Sequence, residues 1–116
     1  GVQTCALPIS IIMGGAGGPV TFRHVVEYCD GWMPIHGRRS IEDKLAELRA
    51  AAEAAGRDMA TIELGVFGCP PDPAVIERYA ELGFARCVLP VPPTGADDAL
   101  RALDKQADVV ATYALD

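Results

Sequence analysis

The hydrophobic positions of the chain fall into four similar units, each a short apolar run followed by a stretch with helical periodicity. The first run covers residues 9–13 and leads into the segment GGAGG. Pro19 follows where a first helical residue is favoured, because the N–H that proline lacks has no partner there. The next apolar residues recur at i, i+3, i+4 and i+7, which predicts one apolar helix face: Phe22, Val25, Val26 and Cys29. Asp30-Gly31 closes this helix, and GWMPI is the second apolar run.

The second helix is predicted to begin after Ser40, because Asp43 three residues later completes a pattern like a capping box. Gly56 is a suitable residue to end it. Its spacing predicts a buried stripe made of Ile41, Leu45, Leu48 and Ala52.

The third run is TIELGVFG, after which Asp72 is the predicted N-cap and Pro73 lies in the first helical turn. This helix is predicted to turn Ile76, Tyr79 and Ala80 inward and to stop at Gly83. The fourth run, ARCVLPVP, leads through PPTG to a last helix whose apolar side comprises Leu100, Leu103, Ala107 and Val110.

Strands that alternate with helices predict βαβ units and a parallel sheet, so the fold class is α/β. The predicted strands are nearly continuous apolar runs, which is typical of strands covered on both faces. Two architectures fit this pattern: a small open doubly wound sheet, or part of an α/β barrel, of which four βα units are half.

Composition narrows the class of partner. The 116 residues are 50% hydrophobic and 22% charged, as in one small globular domain, and the net charge of −6 argues against binding to nucleic acid. No apolar run approaches the roughly 18 residues of a membrane span, and the four cysteines lack metal-ligand spacing. We therefore expect a reduced, cytoplasmic protein that acts on a small molecule, with no nucleic acid, membrane or metal.

The glycine cluster is the strongest candidate site. Gly14, Gly15, Ala16, Gly17 and Gly18 lie between the end of a predicted strand and the start of a helix. Backbone N–H groups and the helix dipole favour an anion there, so we predict a phosphate site. The cluster has neither the GK[ST] of a P-loop nor the spacing of a dinucleotide fingerprint. A tight turn with close helix–strand packing is the alternative interpretation.

Other chemically interesting residues point less clearly to a site. Trp32 is more typical of a core than of a stacking platform, and His24 is predicted to be structural. His36 follows a predicted strand end, where it could contact substrate or be merely solvated. Cys69 has no neighbouring basic residue to lower its pKa, which disfavours it as a nucleophile. We assign no catalytic residue.

Four blocks, in this order and spacing, resemble one family from about Ser10 to the end of the chain. They are IIMGGAGGP, RHVVEYCDGWMPIHG, IEDKLAELRAAAEAAGRD and FGCPPDPAVIERYAELGFARCVLPVPP. Together they are similar to the C-terminal part of the luciferase-like monooxygenase superfamily (LLM class), in particular its oxidoreductases that use the deazaflavin coenzyme F-420. Relatives that use FMN share these blocks, so FMN is the alternative cofactor.

The resemblance implies that residues 10–116 are the C-terminal half of a (β/α)8 TIM barrel whose cofactor transfers hydride or electrons. It implies that the amides of residues 14–18 bind the cofactor phosphate and that Pro34, Ile35 and His36 lie near cofactor and substrate. The other contacts would come from the first half of a parent enzyme, which could be a homodimer. A half barrel exposes strand edges and an apolar interior, so the fragment alone is expected to be inactive and poorly stable, or to self-associate.

Two other functions remain open from the residues themselves. One is a non-redox α/β-barrel lyase or isomerase that binds a phosphorylated metabolite through the same glycine turn. The other is a small stand-alone flavodoxin-like binding module, whose four strands would form a complete open sheet.

Residues 1–9, GVQTCALPI, have a separate explanation. They can be written codon by codon as GGAGTTCAGACGTGTGCTCTTCCGATC, which resembles a widely used sequencing-library adaptor read in frame. We predict that this segment, with Cys5, derives from an adaptor, although its apolar residues 6–9 could still extend the first strand. The alternative is a genuine, divergent first strand.

Overall fold

The computed structural model describes residues 9–113. Cys5 and most of the proposed adaptor segment lie outside this range. In chain order the elements are β1 (Ile12–Gly14), α1 (Pro19–Tyr28), β2 (Gly31–Met33), α2 (Ile41–Ala55), a 3-10 turn (Met59–Thr61), β3 (Glu63–Phe67), α3 (Pro73–Glu81), β4 (Arg86–Val88) and α4 (Ala96–Tyr113).

The four strands form one parallel sheet in the order β1-β2-β3-β4, which confirms the α/β class and the parallel sheet. This order never reverses, so over the described residues the sheet is not doubly wound. Because connections between parallel strands are right-handed, a sequential order places α1, α2 and α3 on one face.

The helix-covered face of the sheet holds the core. Met13, Trp32 and Leu64 occupy one row across β1, β2 and β3, and Val66 and Cys87 occupy a row across β3 and β4. Trp32 and Val66 are fully buried beneath the helices. All four residues of the predicted α2 stripe are buried as well: Ile41, Leu45, Leu48 and Ala52.

The opposite face of the sheet, called the open face below, is uncovered by the described residues. Its side chains include Ile12, Met33, Ile35 and Phe67, and Phe67 is 53% exposed. The expectation of strands covered on both faces is therefore wrong for residues 9–113, since all three crossover helices pack on the other side.

Predicted helix boundaries agree closely with the structure. The Ser40 hydroxyl accepts a hydrogen bond from the Asp43 N–H at 3.4 Å, and Gly56 ends α2 in the left-handed region at φ 71°. Asp72 caps α3 by accepting from the Ala74 N–H at 3.0 Å, and Pro73 is its first helical residue. These local signals suffice because each uses residues within one turn of the helix end.

Strand positions and two helix faces differ from the prediction. β1 begins at Ile12, and Ile9 precedes it at 90% exposure, so the first strand is not extended to that residue. On α3, Ile76 and Tyr79 are buried as predicted, whereas Ala80 is exposed beside a groove next to α4.

The apolar side of α4 faces solvent. Leu100, Leu103 and Val110 are 58%, 50% and 52% exposed. The helix docks instead through Val109 and Tyr113, which pack against the core, and through Gln106, whose Nε2 donates to the Pro90 carbonyl at 2.7 Å. The predicted apolar stripe of this helix is therefore at least half exposed among residues 9–113.

Between Ile9 and Tyr113, no helix is both long and apolar enough to cross a membrane.

Candidate functional site

Parallel strands end at the same edge of their sheet, and this edge gathers the loops that follow β1, β2 and β3. The loop after β1 is the glycine turn, residues 14–18. The loop after β2 carries Pro34, Ile35 and His36, and the loop after β3 carries Cys69. The predicted cofactor and substrate residues thus lie on adjacent loops.

The glycine turn reverses the chain within a few residues by using left-handed backbone. Gly15 has φ 110° and Gly17 has φ 85°, a region that side chains disfavour. Gly18 is the N-cap of α1 and has no side chain that could cap the helix. No side chain of the described residues 9–113 therefore caps the amides at the start of α1.

Two aromatic residues pack directly beneath the turn. The indole N–H of Trp32 donates to the Gly15 carbonyl at 3.1 Å, and the Phe22 ring meets the Trp32 ring edge-on at 5.1 Å. A Cβ at Gly17 would lie 2.5 Å from Phe22 Cζ and 3.1 Å from Trp32 Cζ2. Trp32 is fully buried, which confirms the core interpretation. The close approach of both rings to Gly17 fits a tightly packed turn, and the phosphate site at this turn stays a prediction.

Several amides at the turn are unpaired within the described part of the chain. The N–H groups of Ala16, Gly17 and Gly18 donate to no acceptor in residues 9–113. The first helical hydrogen bond runs from the Phe22 N–H to the Gly18 carbonyl at 2.9 Å. The amides that precede Phe22 in α1 therefore have no acceptor within the helix. Uncapped N–H groups at a helix N-terminus suit an anion.

A shallow apolar hollow of about 330 Å³ adjoins the turn on the open face. Ile35, the middle residue of the predicted substrate loop, lies in this hollow. The remaining lining residues are Ile12, Gly14, Gly15, Met33 and Phe67. The glycine turn and Ile35 therefore lie side by side. This arrangement suits a ligand whose phosphate contacts the turn and whose apolar portion contacts Ile35.

Pro34 and His36 take different positions from Ile35. Pro34 is buried, and its carbonyl accepts from the Phe67 N–H at 2.9 Å. The His36 N–H donates to the Phe67 carbonyl at 2.9 Å, which extends the β2–β3 pairing past the strand end. Because side chains alternate along an extended segment, Ile35 and His36 lie on opposite sides of the sheet.

The His36 ring has a partner that the sequence did not reveal. Its Nδ1 lies 2.6 Å from the Tyr79 hydroxyl, and the two rings meet edge-on. Burial, together with the nearby thiols of Cys69 and Cys87, raises the pKa of Tyr79 to about 12. The phenol therefore keeps its proton at neutral pH, and it can donate it to Nδ1 when the imidazole carries its hydrogen on Nε2.

Cys69 does not have the environment of a nucleophile. It is fully buried, and its Sγ–H donates to the Pro70 carbonyl at 3.4 Å. Burial and the adjacent Cys87 raise the pKa of Cys69 to about 12, whereas a reactive thiol needs a lowered pKa. The structure therefore supports the sequence argument against Cys69.

Charged chemistry is sparse near the hollow. Arg86 Nη2 pairs with Glu63 Oε1 at 3.0 Å on the open face, and both side chains are partly exposed. Among residues 9–113, no three His, Cys, Asp or Glu side chains come together to hold a metal ion. The groups available to a ligand are backbone amides and apolar side chains.

Comparison with known proteins gives distant relatives only. No protein-family model matches the chain. Uncharacterized proteins of Mycobacterium bovis and of two strains of Mycobacterium tuberculosis are 28% identical to it over 99 residues, which is 85% of this chain and 35% of each relative. The chain thus spans about a third of the length of these curated relatives.

Proposed function

We propose that the chain is the second half of a (β/α)8 barrel oxidoreductase of the luciferase-like type, which uses coenzyme F-420 or FMN. The cofactor phosphate binds at the glycine turn, residues 14–18. The observation that carries this proposal is that the amides of Ala16, Gly17 and Gly18, at the carboxyl edge of a parallel sheet, donate to no acceptor among residues 9–113.

The strand order supports a barrel over a flavodoxin-like module. A flavodoxin-like sheet reverses its order at a switch point, whereas this sheet runs β1-β2-β3-β4 without reversal, as consecutive units of a barrel do. Longer relatives, of which this chain spans 35%, have the length to supply further units. Further strands would pair with the edges of β1 and β4.

The open face supports the barrel proposal, because large and small residues alternate on it as they do inside a small barrel. Ile12 lies over Gly31, where a Cβ would come within 2.9 Å of its Cδ1. Met33 likewise lies over Gly65, where a Cβ would come within 2.9 Å of its Cε. Large side chains thus reach across neighbouring strands at glycines, which suits the concave side of a curved sheet.

In this proposal the cofactor carries out the reaction and the residues of this chain bind and shield it. A bound flavin or deazaflavin supplies the hydride or electron transfer. The chain's own amides bind the phosphate, and Met33, Ile35 and Phe67 supply an apolar surface beside it that excludes water. No side chain in residues 9–113 is assigned to proton transfer.

The proposal can be tested by locating where ligands protect the backbone from hydrogen exchange. The chain would be incubated separately with inorganic phosphate, FMN and riboflavin, which lacks the phosphate, and exchange would be followed by mass spectrometry. We expect phosphate and FMN to slow exchange in residues 15–21, and riboflavin to leave that segment unchanged.

The outcome separates the candidate functions. Protection by FMN that extends to the segment around Ile35 favours the redox enzyme. Protection at the turn that is equal for phosphate and FMN, with none around Ile35, favours the non-redox phosphate-binding barrel. Unchanged exchange at the turn with both anions would contradict any phosphate site there.

A further inference from the structure

The Gly15–Ala16 peptide of the glycine turn has a fixed orientation. Its carbonyl oxygen accepts from the buried Trp32 indole N–H at 3.1 Å, so the oxygen points toward the core. The peptide bonds of the described residues are all trans, and in a trans peptide the C=O and the next N–H point in opposite directions. The Ala16 N–H therefore points away from the core, on the side of the proposed phosphate site.

Trp32 is held firmly enough to enforce this orientation. Its side chain is fully buried, and the Phe22 ring packs edge-on against it with an interplanar angle of 83°. The Trp32 indole, like the Phe22 ring, also lies beneath Gly17, where there is no room for a Cβ. One rigid side chain on β2 therefore contacts both left-handed positions of the turn, Gly15 and Gly17.

The alternative orientation of this peptide would oppose an anion. Glycines on both sides of Ala16 tolerate many backbone conformations, so the peptide could rotate if its carbonyl lost its donor. Rotation would turn the partially negative carbonyl oxygen toward the phosphate and the N–H away from it. The hydrogen bond from Trp32 Nε1 to the Gly15 carbonyl opposes this rotation of the peptide.

We infer that Trp32 is the positioning residue of the phosphate site: its indole N–H anchors the Gly15 carbonyl so that the Ala16 N–H faces the ligand. This inference rests on the proposed function, because it concerns the same phosphate. It differs from a merely structural role for Trp32, since it depends on one hydrogen atom rather than on the volume of the ring.

The chain has a single tryptophan, which permits a replacement that removes only that hydrogen. Incorporating 3-benzothienylalanine at Trp32 keeps the shape of the ring and substitutes sulfur for the N–H. We expect this chain to unfold at nearly the same denaturant concentration and to bind inorganic phosphate roughly five- to tenfold more weakly, as suits the loss of one hydrogen bond. A chain grown with ordinary tryptophan and carrying Ile76→Val, a mild core change on α3, is the control and should bind phosphate normally.

The same samples separate the two possible failures. Equal phosphate affinity in the tryptophan and benzothienylalanine chains would overturn the positioning role while leaving the phosphate site in place. An unmodified chain whose Ala16 and Gly17 amide NMR signals do not shift with phosphate would overturn the proposed function, and the inference with it.

A second measurement needs no replacement and applies even if the modified chain fails to fold. The indole N–H of the only tryptophan gives a single NMR signal. Because coupling between two sites is reciprocal, phosphate binding should slow the hydrogen exchange of this N–H. Saturating phosphate that shifts the Ala16 amide without slowing the indole exchange would contradict the inference.

Discussion

The conformation of Gly17 makes it the residue at which the turn is most sensitive to substitution. Its φ of 85° disfavours any side chain, and a Cβ would also lie 2.5 Å from Phe22 Cζ. Gly37 has a similar φ of 79°, yet nothing lies within 4 Å of its Cβ position. The pair separates backbone strain from steric overlap.

We predict that Gly37→Ala lowers the free energy of unfolding by roughly 1–2 kcal/mol, which is the cost of the left-handed backbone alone. Gly17→Ala should cost about 1–3 kcal/mol more, because the Phe22 and Trp32 rings must move, and should also abolish phosphate binding. Chemical denaturation and phosphate titration of both variants measure this. Equal losses in the two variants would show that the turn is not packed on these rings.

The raised pKa values of Tyr79 and Cys69 lead us to predict that the fold loses stability at alkaline pH. Burial raises the pKa of both groups to about 12, from their usual 10.0 and 9.0. The folded chain therefore holds these protons more tightly than the unfolded chain does. Their contribution to the free energy of unfolding is complete below pH 9 and is lost as the pH rises toward 12.

Denaturation curves recorded from about pH 8 to pH 11 test this pH dependence. The variant that combines Cys69→Ala with Tyr79→Phe serves as the control, because both titrating groups are removed. Its unfolding free energy should fall less steeply with pH than that of the unmodified chain. Parallel curves for the two chains would mean that neither group is held in its protonated form by the fold.

At the scale of single elements, the Arg57 side chain caps the C-terminal end of α1, although it lies about 30 residues further along the chain. Its guanidinium donates to the carbonyls of Val25 and Val26 at 3.3 Å each and to that of Cys29 at 3.0 Å. The Val25 carbonyl also accepts the last helical hydrogen bond, from the Cys29 N–H at 3.2 Å, whereas the Val26 and Cys29 carbonyls lie beyond that bond at the end of α1. One side chain following α2 therefore terminates the helix that begins at the glycine turn.

We predict that Arg57→Lys lowers the free energy of unfolding by about 1–3 kcal/mol, because an ammonium cannot reproduce the fork of donors. The matched change Arg49→Lys, at an exposed position of α2, should have almost no effect. Thermal and denaturant unfolding of the two variants compare them. A negligible effect of Arg57→Lys would mean that water satisfies these carbonyls equally well.

The elements that follow local rules could be predicted from the sequence, and those set by distant pairing could not. The α2 stripe, the Ser40 cap and the Gly56 stop depend on residues one turn apart, and all were predicted. The exact start of β1 depends on its register with β2, where Ile12 pairs with Gly31. Periodicity does not contain that information.

The same distinction holds for the candidate site. A glycine cluster between a strand and a helix is visible in the sequence. The bond from Trp32 to Gly15 and the pair of His36 with Tyr79, which are 17 and 43 residues apart, arise only when the strand order brings them together. Supporting residues of a site are therefore harder to predict than the loop that they support.

At the scale of the whole molecule, the apolar surfaces that are exposed among residues 9–113 govern self-association. Phe67 on the open face is 53% exposed, and Leu100 and Leu103 form an exposed stripe on α4. Exposed apolar surface and free strand edges favour association. We therefore expect the isolated chain to self-associate at micromolar concentrations.

Phe67→Ser should shift this association toward monomer, because it removes a large apolar group from the open face. Tyr28→Ser is the matched control, since Tyr28 is also 53% exposed but belongs to α1, on the covered side. Sedimentation velocity over a range of concentrations compares the variants. If Tyr28→Ser dissociated the assembly as effectively as Phe67→Ser, the open face would not be the surface that associates.

We propose that this chain carries the phosphate-binding turn of a flavin or deazaflavin barrel but only half of that barrel. An equilibrium titration with coenzyme F-420, FMN and riboflavin, combined with sedimentation of the same samples, tests both parts. We expect saturable binding of the two phosphorylated cofactors, much weaker than micromolar, and no binding of riboflavin at the turn. Micromolar binding by a well-folded monomer, or equal affinity for FMN and riboflavin, would contradict it.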